Sequence, residues 1–498
     1  MAVSKADYDL AIIGGGINGV GIARDAAGRG LRVLLLEQND LASGTSSASS
    51  KLIHGGLRYL EHGAFRLVRE ALAEREVILK MAPHVVRPLR FVLPVYPGRR
   101  STLLLRLGLF LYDRIGGREI LPPTKTLDLT HQVVGMALHR RYRYGFEYSD
   151  CWVDDSRLVI LNAVDAAERG AHIRTHTRCL RAERDGVWRL TLEEDDDRET
   201  TTARALVNAA GPWVGSVAES VIGQPGPSRA RLVKGSHIVV RQLFEHDRGY
   251  ILQLADRRVV FALPYADGFT LIGTTDVDFA GDPATVAPSQ DEIGYLCKAA
   301  NGYFRESIAP GDVIAAFAGV RSLYDDGAGR PEDITRDYHL ELDEGEAPLL
   351  TVYGGKITTY RRLAEAAVER LSHFFPTTPA WTAQAPLPGG DFPYDGVDAL
   401  VTQTREKWPF LAEHHARRLV RAYGTRLGRV LDTAESMQNL GQDFGAGLTE
   451  AEVRYLMRAE WARTEDDVLS RRTKLGLHVT PPQRQALAQF MASAATRA

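Results

Sequence analysis

The sequence predicts an α/β protein of more than one domain, and three observations carry that prediction. Residues 8 to 37 read as an apolar strand, a glycine-rich turn, a helix and a second apolar strand, the βαβ unit of a Rossmann-type dinucleotide site. Residues 170 to 279 contain short strand-like runs separated by tight-turn signals. From residue 388 onward the pattern is helical and rich in Arg and Leu, and 498 residues exceed what one hydrophobic core organises.

Taken in order, YDLAII forms the first strand, GGGINGVG the turn, a helix runs to Gly28 or Gly30, and LRVLLLE returns as the second strand. Gly14 permits the tight turn, Gly16 lets the backbone approach a pyrophosphate, and Gly19 allows the helix to pack closely on the sheet. A pyrophosphate then meets the free N–H groups and positive dipole of the helix N-terminus, and Glu37 accepts from ribose hydroxyls. EHGAFRLVREALAEREVILKM (61 to 81) is helical and closed by Pro83 and Pro88. HIRTHTRCLRAE, VWRLTLEE and ALVNAA follow as strands joined by Asp185-Gly186 and by the acidic loop EEDDDRE, a solvated hairpin tip. SHIVV, RVVFALP and FTLIGTTD add strands of a separate β-rich region. Residues 349 to 371 read as strand, Gly-Gly turn and amphipathic helix, and 376 to 396, rich in proline and glycine, as a linker.

The bulk numbers exclude several classes. Lys plus Arg (61) nearly balances Asp plus Glu (63), so no chain-wide field gathers nucleic acid. Cys151, Cys179 and Cys297 match no metal or redox spacing, which fits a reducing compartment and predicts no metal site. The N-terminus lacks the apolar core of an export signal. The longest apolar run, Leu103 to Tyr112, is interrupted by Arg106 and falls short of the roughly 20 residues that span a bilayer.

Between the two common dinucleotides, three features favour FAD over NAD. The fingerprint lies within the first forty residues, ALVNAAGPW (205 to 213) supplies a second small-residue motif at a strand end, and the 349 to 371 unit returns the chain to the cofactor domain. The blocks TSSASSKLIHGGLRYLEHGAFRLVREALAERE, GFEYSDCWVDDSRLV, NAAGPWV, KGSHIVV, GTTD, GVRSL, ITRDY and YGGKITTYR then resemble, in order and from end to end, the flavin-dependent glycerol-3-phosphate dehydrogenases. That family belongs to the D-amino-acid-oxidase-like flavoproteins. The resemblance implies a Rossmann-type FAD-binding domain (1–80, 150–230 and 331–387) interleaved with an antiparallel substrate domain (81–149 and 231–330), then a helical domain (388–498). Ser322 departs from the family's proline after Gly-Val-Arg, in what is read as a loop carrying Arg321.

By the same resemblance the cofactor contacts comprise Gly14, Gly15, Gly16, Asn18, Gly19, Glu37, Thr45, Ser46, Ser47, Ser50, Lys51, Leu52, His54 and Gly55. They continue with Ala210, Gly211, Trp213, Gly354, Gly355, Lys356, Thr358 and Thr359. The implied reaction oxidises glycerol 3-phosphate to dihydroxyacetone phosphate by hydride transfer to FAD. Arg58 and Arg336 are expected to grip the phosphate with Tyr59 beside them. His237 and Arg321 are expected near the C2 hydroxyl, with His237 as base because a guanidinium stays protonated. Lys356 meets negative charge on the reduced flavin and reaches the substrate, and Thr274 and Thr275 are candidate donors there.

The family's acceptor is membrane ubiquinone, so the enzyme is expected in the cytoplasm, bound peripherally to the inner membrane. Leu103 to Ile115, through leucines such as Leu105 and Leu109, is the expected lipid contact, with Arg99, Arg100, Arg114 and Arg118 on anionic headgroups. Its apolar residues run around the whole helix, so a buried helix is the competing reading. The resemblance also suggests a homodimer. From residues alone, oxygen remains open as acceptor, and an amino-acid oxidase and a non-catalytic flavin-binding module remain the rival functions.

Overall fold

The computed structural model describes residues 6–95, 102–117, 119–224, 229–256, 258–325, 327 and 337–495. Its first sheet has the strand Tyr8–Ile13 at its centre, because Leu10, Ala11 and Ile12 are buried on both faces and need neighbours on each side. Val33–Leu36 and then His172–Arg174 lie on one flank, and Asp197–Asn208 and then Leu349–Tyr353 on the other, all parallel. His339–Asp343 closes the edge antiparallel. The helices Ile17–Gly28, Asp155–Glu168 and Tyr360–Leu371 cover one face and share one apolar core with these strands. As expected, Arg178–Asp185 and Val187–Glu194 form a hairpin at Asp185-Gly186, whose glycine takes φ +66°.

The second sheet runs Val277–Asp278, Ala230–Arg241, Phe269–Gly273, Val259–Tyr265, Gly249–Gln253, Val86–Val95, Tyr144–Val153, Leu52–Ile53. Ala315–Tyr324 and Lys125–Asp128 pair onto it from the side. It is antiparallel except where Gly249–Gln253 meets Val86–Val95 in parallel. Leu52–Ile53 and Tyr144–Val153 belong to this sheet although residues up to 80 and from 150 onward are expected in the other domain. The chain therefore enters the second sheet earlier, and leaves it later, than its motifs suggest.

Two local expectations need correcting. The helix expected over 61 to 81 is Phe65–Met81, because Gly63 at φ +69° ends a separate 3-10 turn, Leu57–His62, before it. The 376–396 segment is a packed strap rather than a loose linker. Leu387 donates to Met81 O at 2.9 Å, Thr425 donates to Gly389 O at 3.1 Å, and a Cβ on Gly389 would overlap the Tyr423 carbonyl.

The C-terminal helices, Val397–Lys407, Glu413–Tyr423, Glu450–Ala459 and Pro481–Ala495, enclose their own core around Leu419, Val420, Leu456 and Val468. Buried ion pairs tie this domain to the first. Arg157, on the helix Asp155–Glu168, forks onto Glu460, with one N–H···O of 3.0 Å, and also donates to Ala422 O at 2.9 Å. Arg157→Met leaves Glu460 buried without its cation, so chemical denaturation should show a loss of about 3–5 kcal/mol. A loss below about 1 kcal/mol would mean that the pair does not tie the domains together.

Candidate active site

The dinucleotide turn closes as the glycine spacing requires. Gly14 takes φ +118°, and a Cβ there would sit 2.5 Å from Ala209 O; a Cβ on Gly19 would overlap Gly14 O. Glu37 ends its strand with Oε2 accepting from Gly15 N–H at 2.7 Å and Oε1 from Asn39 N–H at 2.9 Å. Burial pushes its carboxyl above the usual range, against those two donors. Ser46 Oγ accepts the first helical N–H, from Ile17, at 3.0 Å. Asn18 donates to Gly354 O at 3.1 Å, which docks the Gly354-Gly355 turn onto the same helix end. Asn18 Oδ1 is buried and has no hydrogen-bond partner among the described residues.

A cleft of about 1960 Å³ runs from this turn into the seam between the sheets. Drug-sized ligands fill roughly 300–1,000 Å³, so the space suits a dinucleotide together with a substrate. Gly14, Gly16, Asn18, Glu37, Thr45, Ser46, Ser47, Ser50, Leu52, His54, Ala210, Gly211, Trp213, Gly354, Gly355, Lys356 and Thr358 line it. The structure withholds Gly15, Gly19, Lys51, Gly55 and Thr359 from the lining, each for a visible reason. Gly15 is spent on Glu37, Gly19 on helix packing, and Gly55 N–H on the Tyr112 hydroxyl at 2.9 Å. Thr359 is buried at the start of the helix Tyr360–Leu371, and the Lys51 ammonium points away to Asp155 at 2.8 Å.

Past the turn, the cleft gathers Tyr59, Thr274, Arg321, Lys356 and His54. Lys356 Nζ lies 3.7 Å from the Tyr59 ring centre. Arg321 sits in the strand Ala315–Tyr324, not on a loop, and Ser322 continues that strand opposite Leu232. Its guanidinium is fixed by Asp276 at 2.8 Å, Thr274 Oγ1 at 3.2 Å and Thr275 O at 3.4 Å. Thr275 itself is buried, receiving Ser236 N–H at 3.0 Å and donating to Glu292 at 2.9 Å. Arg336 lies outside the described residues, as do Arg99, Arg100 and Arg118. The backbone of Arg58 belongs to the 3-10 turn Leu57–His62 at the cleft wall.

His237 is where the structure departs from expectation. It is buried in the strand Ala230–Arg241, stacked on Phe317 at 5.0 Å, with Nε2 2.9 Å from Ser50 Oγ. Strand alternation puts it on the same face as Gly235, which lines the cleft, and Ser50 and Phe317, which also line it, cover the ring. His54 is the histidine that lines the cleft among the described residues, and its N–H donates to Thr358 Oγ1 at 3.2 Å. Burial, then Lys356 and Arg75, depress its pKa to about 3, which keeps the ring neutral. Sequence reasoning passed over Asp276, because a carboxylate inside GTTD has no local signal; only the requirement of Arg321 for a counter-ion points to it.

The helix Thr102–Ile115 borders the cleft mouth through Leu104, Leu105, Leu107, Gly108 and Leu111. Leu109 and Tyr112 are buried and Leu105 packs on the core, so Leu105 and Leu109 are not free for lipid. The outward apolar face is instead Leu103, Leu104, Leu107 and Phe110, which are 77%, 64%, 53% and 50% exposed. No helix among the described residues is long and apolar enough to cross a membrane.

A glycine-cradled dinucleotide cleft opening onto a cluster of His, Lys, Arg and Tyr between two sheets defines a flavin-dependent oxidoreductase. Residues 9–361 match the family described as FAD dependent oxidoreductase, and residues 380–497 match the C-terminal domain of alpha-glycerophosphate oxidase. The chain is 54% identical to a glycerol-3-phosphate dehydrogenase of Pseudomonas aeruginosa, over 98% of this chain and 95% of that one. It is 50% identical to a D-erythritol 1-phosphate dehydrogenase of Brucella abortus, over 98% of each. Among solved structures, the glycerol-3-phosphate dehydrogenase of Bacillus halodurans complexed with FAD aligns with a TM-score of 0.76 and 27% identity, over 99% of this chain and 90% of that one. The chain belongs to the glycerol-3-phosphate dehydrogenase family of FAD-dependent oxidoreductases, and its cofactor is FAD.

Burial depresses both His84 and His237 to about 3, so each is neutral in the fold and gains a proton on unfolding below its ordinary value near 6.5. A depressed folded pKa gives a contribution complete above the unfolded pKa and lost as pH falls from there toward the folded one. Stability should therefore fall between pH 6.5 and pH 4 with a slope that includes about 1.4 kcal/mol per pH unit from each ring. His84→Gln should make that slope shallower in urea titrations, and an unchanged slope would rule out the His84 contribution.

Proposed function

We propose that this chain oxidises sn-glycerol 3-phosphate to dihydroxyacetone phosphate and passes the electrons to a membrane quinone. The observation that carries the reading is the meeting, along one cleft with the dinucleotide turn, of a neutral imidazole (His54), two cations (Lys356 and Arg321) and Tyr59. A polyol phosphate needs a proton acceptor for its hydroxyl, cations for the developing alkoxide and for the phosphate, and a hydride acceptor. Bound FAD supplies the last. His54 takes the proton of the C2 hydroxyl in preference to His237, because its ring borders the cleft and is unprotonated. An incoming phosphate dianion offsets the Lys356 charge that helps to hold the His54 pKa down. Arg321, already oriented by Asp276, steadies the oxyanion with Lys356. Arg58 and Arg336 remain the proposed phosphate grips, with Tyr59 beside them.

The dehydrogenase names of the relatives favour an acceptor other than oxygen. For the membrane, support comes from the exposed apolar face of Thr102–Ile115 at the cleft mouth, with Arg114 stacked 4.2 Å from the Phe110 ring.

Anaerobic addition of glycerol 3-phosphate should bleach the flavin absorbance, and D-erythritol 1-phosphate is the comparison substrate that tests chain length. His54→Gln should retain FAD and slow flavin reduction by about 10²–10⁴-fold, with His237→Gln affecting it less. The opposite ranking would return the base to His237.

Leu103→Ser with Phe110→Ser should weaken binding to vesicles containing anionic lipid at low and high salt alike, since apolar burial is not screened. Turnover with a soluble dye acceptor should persist while turnover with membrane quinone falls. Undiminished vesicle binding would move the lipid contact elsewhere.

A further inference from the structure

One turn of the C-terminal domain, Arg471 to Lys474, reaches out of that domain to Asp40, next to cleft-lining residues, and to Asp155, which holds the cleft-lining loop 45 to 51. Arg472 donates to Asp40 Oδ1 at 2.7 Å, and Arg471 Nε to Asp40 Oδ2 at 2.6 Å. Asp40 is buried immediately after Glu37, Gln38 and Asn39, which line the cleft. Lys474, held at φ +55°, places its ammonium 3.0 Å from Asp155 Oδ1, 3.1 Å from Asp154 Oδ1 and 2.8 Å from Ser156 Oγ.

The other oxygen of Asp155 faces the cofactor side. Asp155 Oδ2 accepts from Ser49 Oγ at 2.7 Å, Ser49 N–H at 3.3 Å and Lys51 Nζ at 2.8 Å, and the Lys51 ammonium also donates to Ser47 O at 2.9 Å. This carboxylate is thus shared between an ammonium of the C-terminal domain and one of the flavin loop. The loop it anchors, residues 45 to 51, is where Ser46 caps the dinucleotide helix and Ser50 meets His237. All of these bonds lie in a buried place where a charged group cannot relax into water, so losing one end shifts the rest.

We propose that the Arg471–Lys474 turn is a brace through which the C-terminal domain sets the geometry of the flavin loop, with Lys474 as a positioning residue for the cofactor. The inference rests on FAD binding in this cleft and not on the identity of the substrate. It gives the C-terminal domain a task at the site although none of its described residues lines the cleft. Lys474 acts only through Asp155; Ser49 is the last link, and it lines the cleft.

The test uses full-length protein loaded with FAD. Lys474→Met keeps the stem and removes the ammonium, Lys474→Arg keeps the charge, and Ser49→Ala cuts the far end of the chain of bonds. The readouts are the FAD dissociation constant, the flavin midpoint potential and its visible band. Lys474→Met and Ser49→Ala should each weaken FAD binding by about tenfold, the loss of one hydrogen bond to a charged group. Both should shift the potential and the visible band in the same sense, and Lys474→Arg should restore most of the affinity. Because both changes cut one chain, the double variant should bind FAD no worse than about the weaker single variant. Effects that multiply in the double variant, or an unchanged FAD affinity and potential in folded Lys474→Met, overturn the proposal. Should Lys474→Met fail to fold, Ser49→Ala with Lys474→Arg still decides it, since unaltered flavin binding and potential in Ser49→Ala would sever the last link.

Discussion

Everything at this site depends on one steric constraint, the near contact of three backbone segments at the dinucleotide turn. Gly14 presses against the carbonyl of Ala209, and Gly19 presses against that of Gly14, so strand, helix and the neighbouring strand meet with no side chain between them. That approach brings Asn208, Ala209 and Ala210, at the end of Asp197–Asn208, beside the N-terminus of Ile17–Gly28. The cleft then begins at that helix N-terminus, whose dipole favours an anion. Glu37 and Ser46 take two backbone donors at this edge, which fixes the loops on either side before any ligand arrives.

From there the chemistry is arranged by burial and by charge neutralisation. Arg321 would be an unanchored cation in a strand if Asp276 and Thr274 did not hold its guanidinium plane. Lys356 is placed on the Tyr59 face, while His54 remains neutral because it is both buried and close to cations. A proton acceptor and cations coexist in this way without neutralising one another. The same reasoning explains the distant ion pairs. Arg157 with Glu460, and Asp155 between Lys51 and Lys474, put complementary charges into a seam that would otherwise strand them.

The second sheet contributes its role by position. Its strands Ala230–Arg241, Phe269–Gly273 and Ala315–Tyr324 bring Gly235, Thr274 at the strand end, and Arg321 to the cleft, and Glu292 from a packed helix braces them from behind through the buried Ser236 and Thr275. The Thr102–Ile115 helix stands at the mouth, one side in the core and the other bare. The cleft therefore has a polar, cationic interior and an apolar lip.

The sequence by itself determined the parts whose signals are local. The glycine spacing, the apolar strands around it, Glu37 at a strand end, the Asp-Gly hairpin and the helical C-terminus all announce themselves within a few residues, because turn sterics and hydrophobic period act over that range. Tertiary structure alone decided which side of a strand or helix faces the cleft. His237 shares a strand face with Gly235, which lines the cleft, and only the packing of Phe317 and Ser50 covers its ring, leaving His54 to border the cleft. Leu105 and Leu109 look the same in sequence as Leu103 and Leu107, yet the core claims the first pair and leaves the second outside. Asp276, Asp155 and Lys474 acquire meaning only from partners 45, 104 and 319 positions away, which no local pattern encodes. Such pairings are written in three-dimensional charge neutralisation, where a buried ion takes whichever opposite charge the fold brings within hydrogen-bond reach.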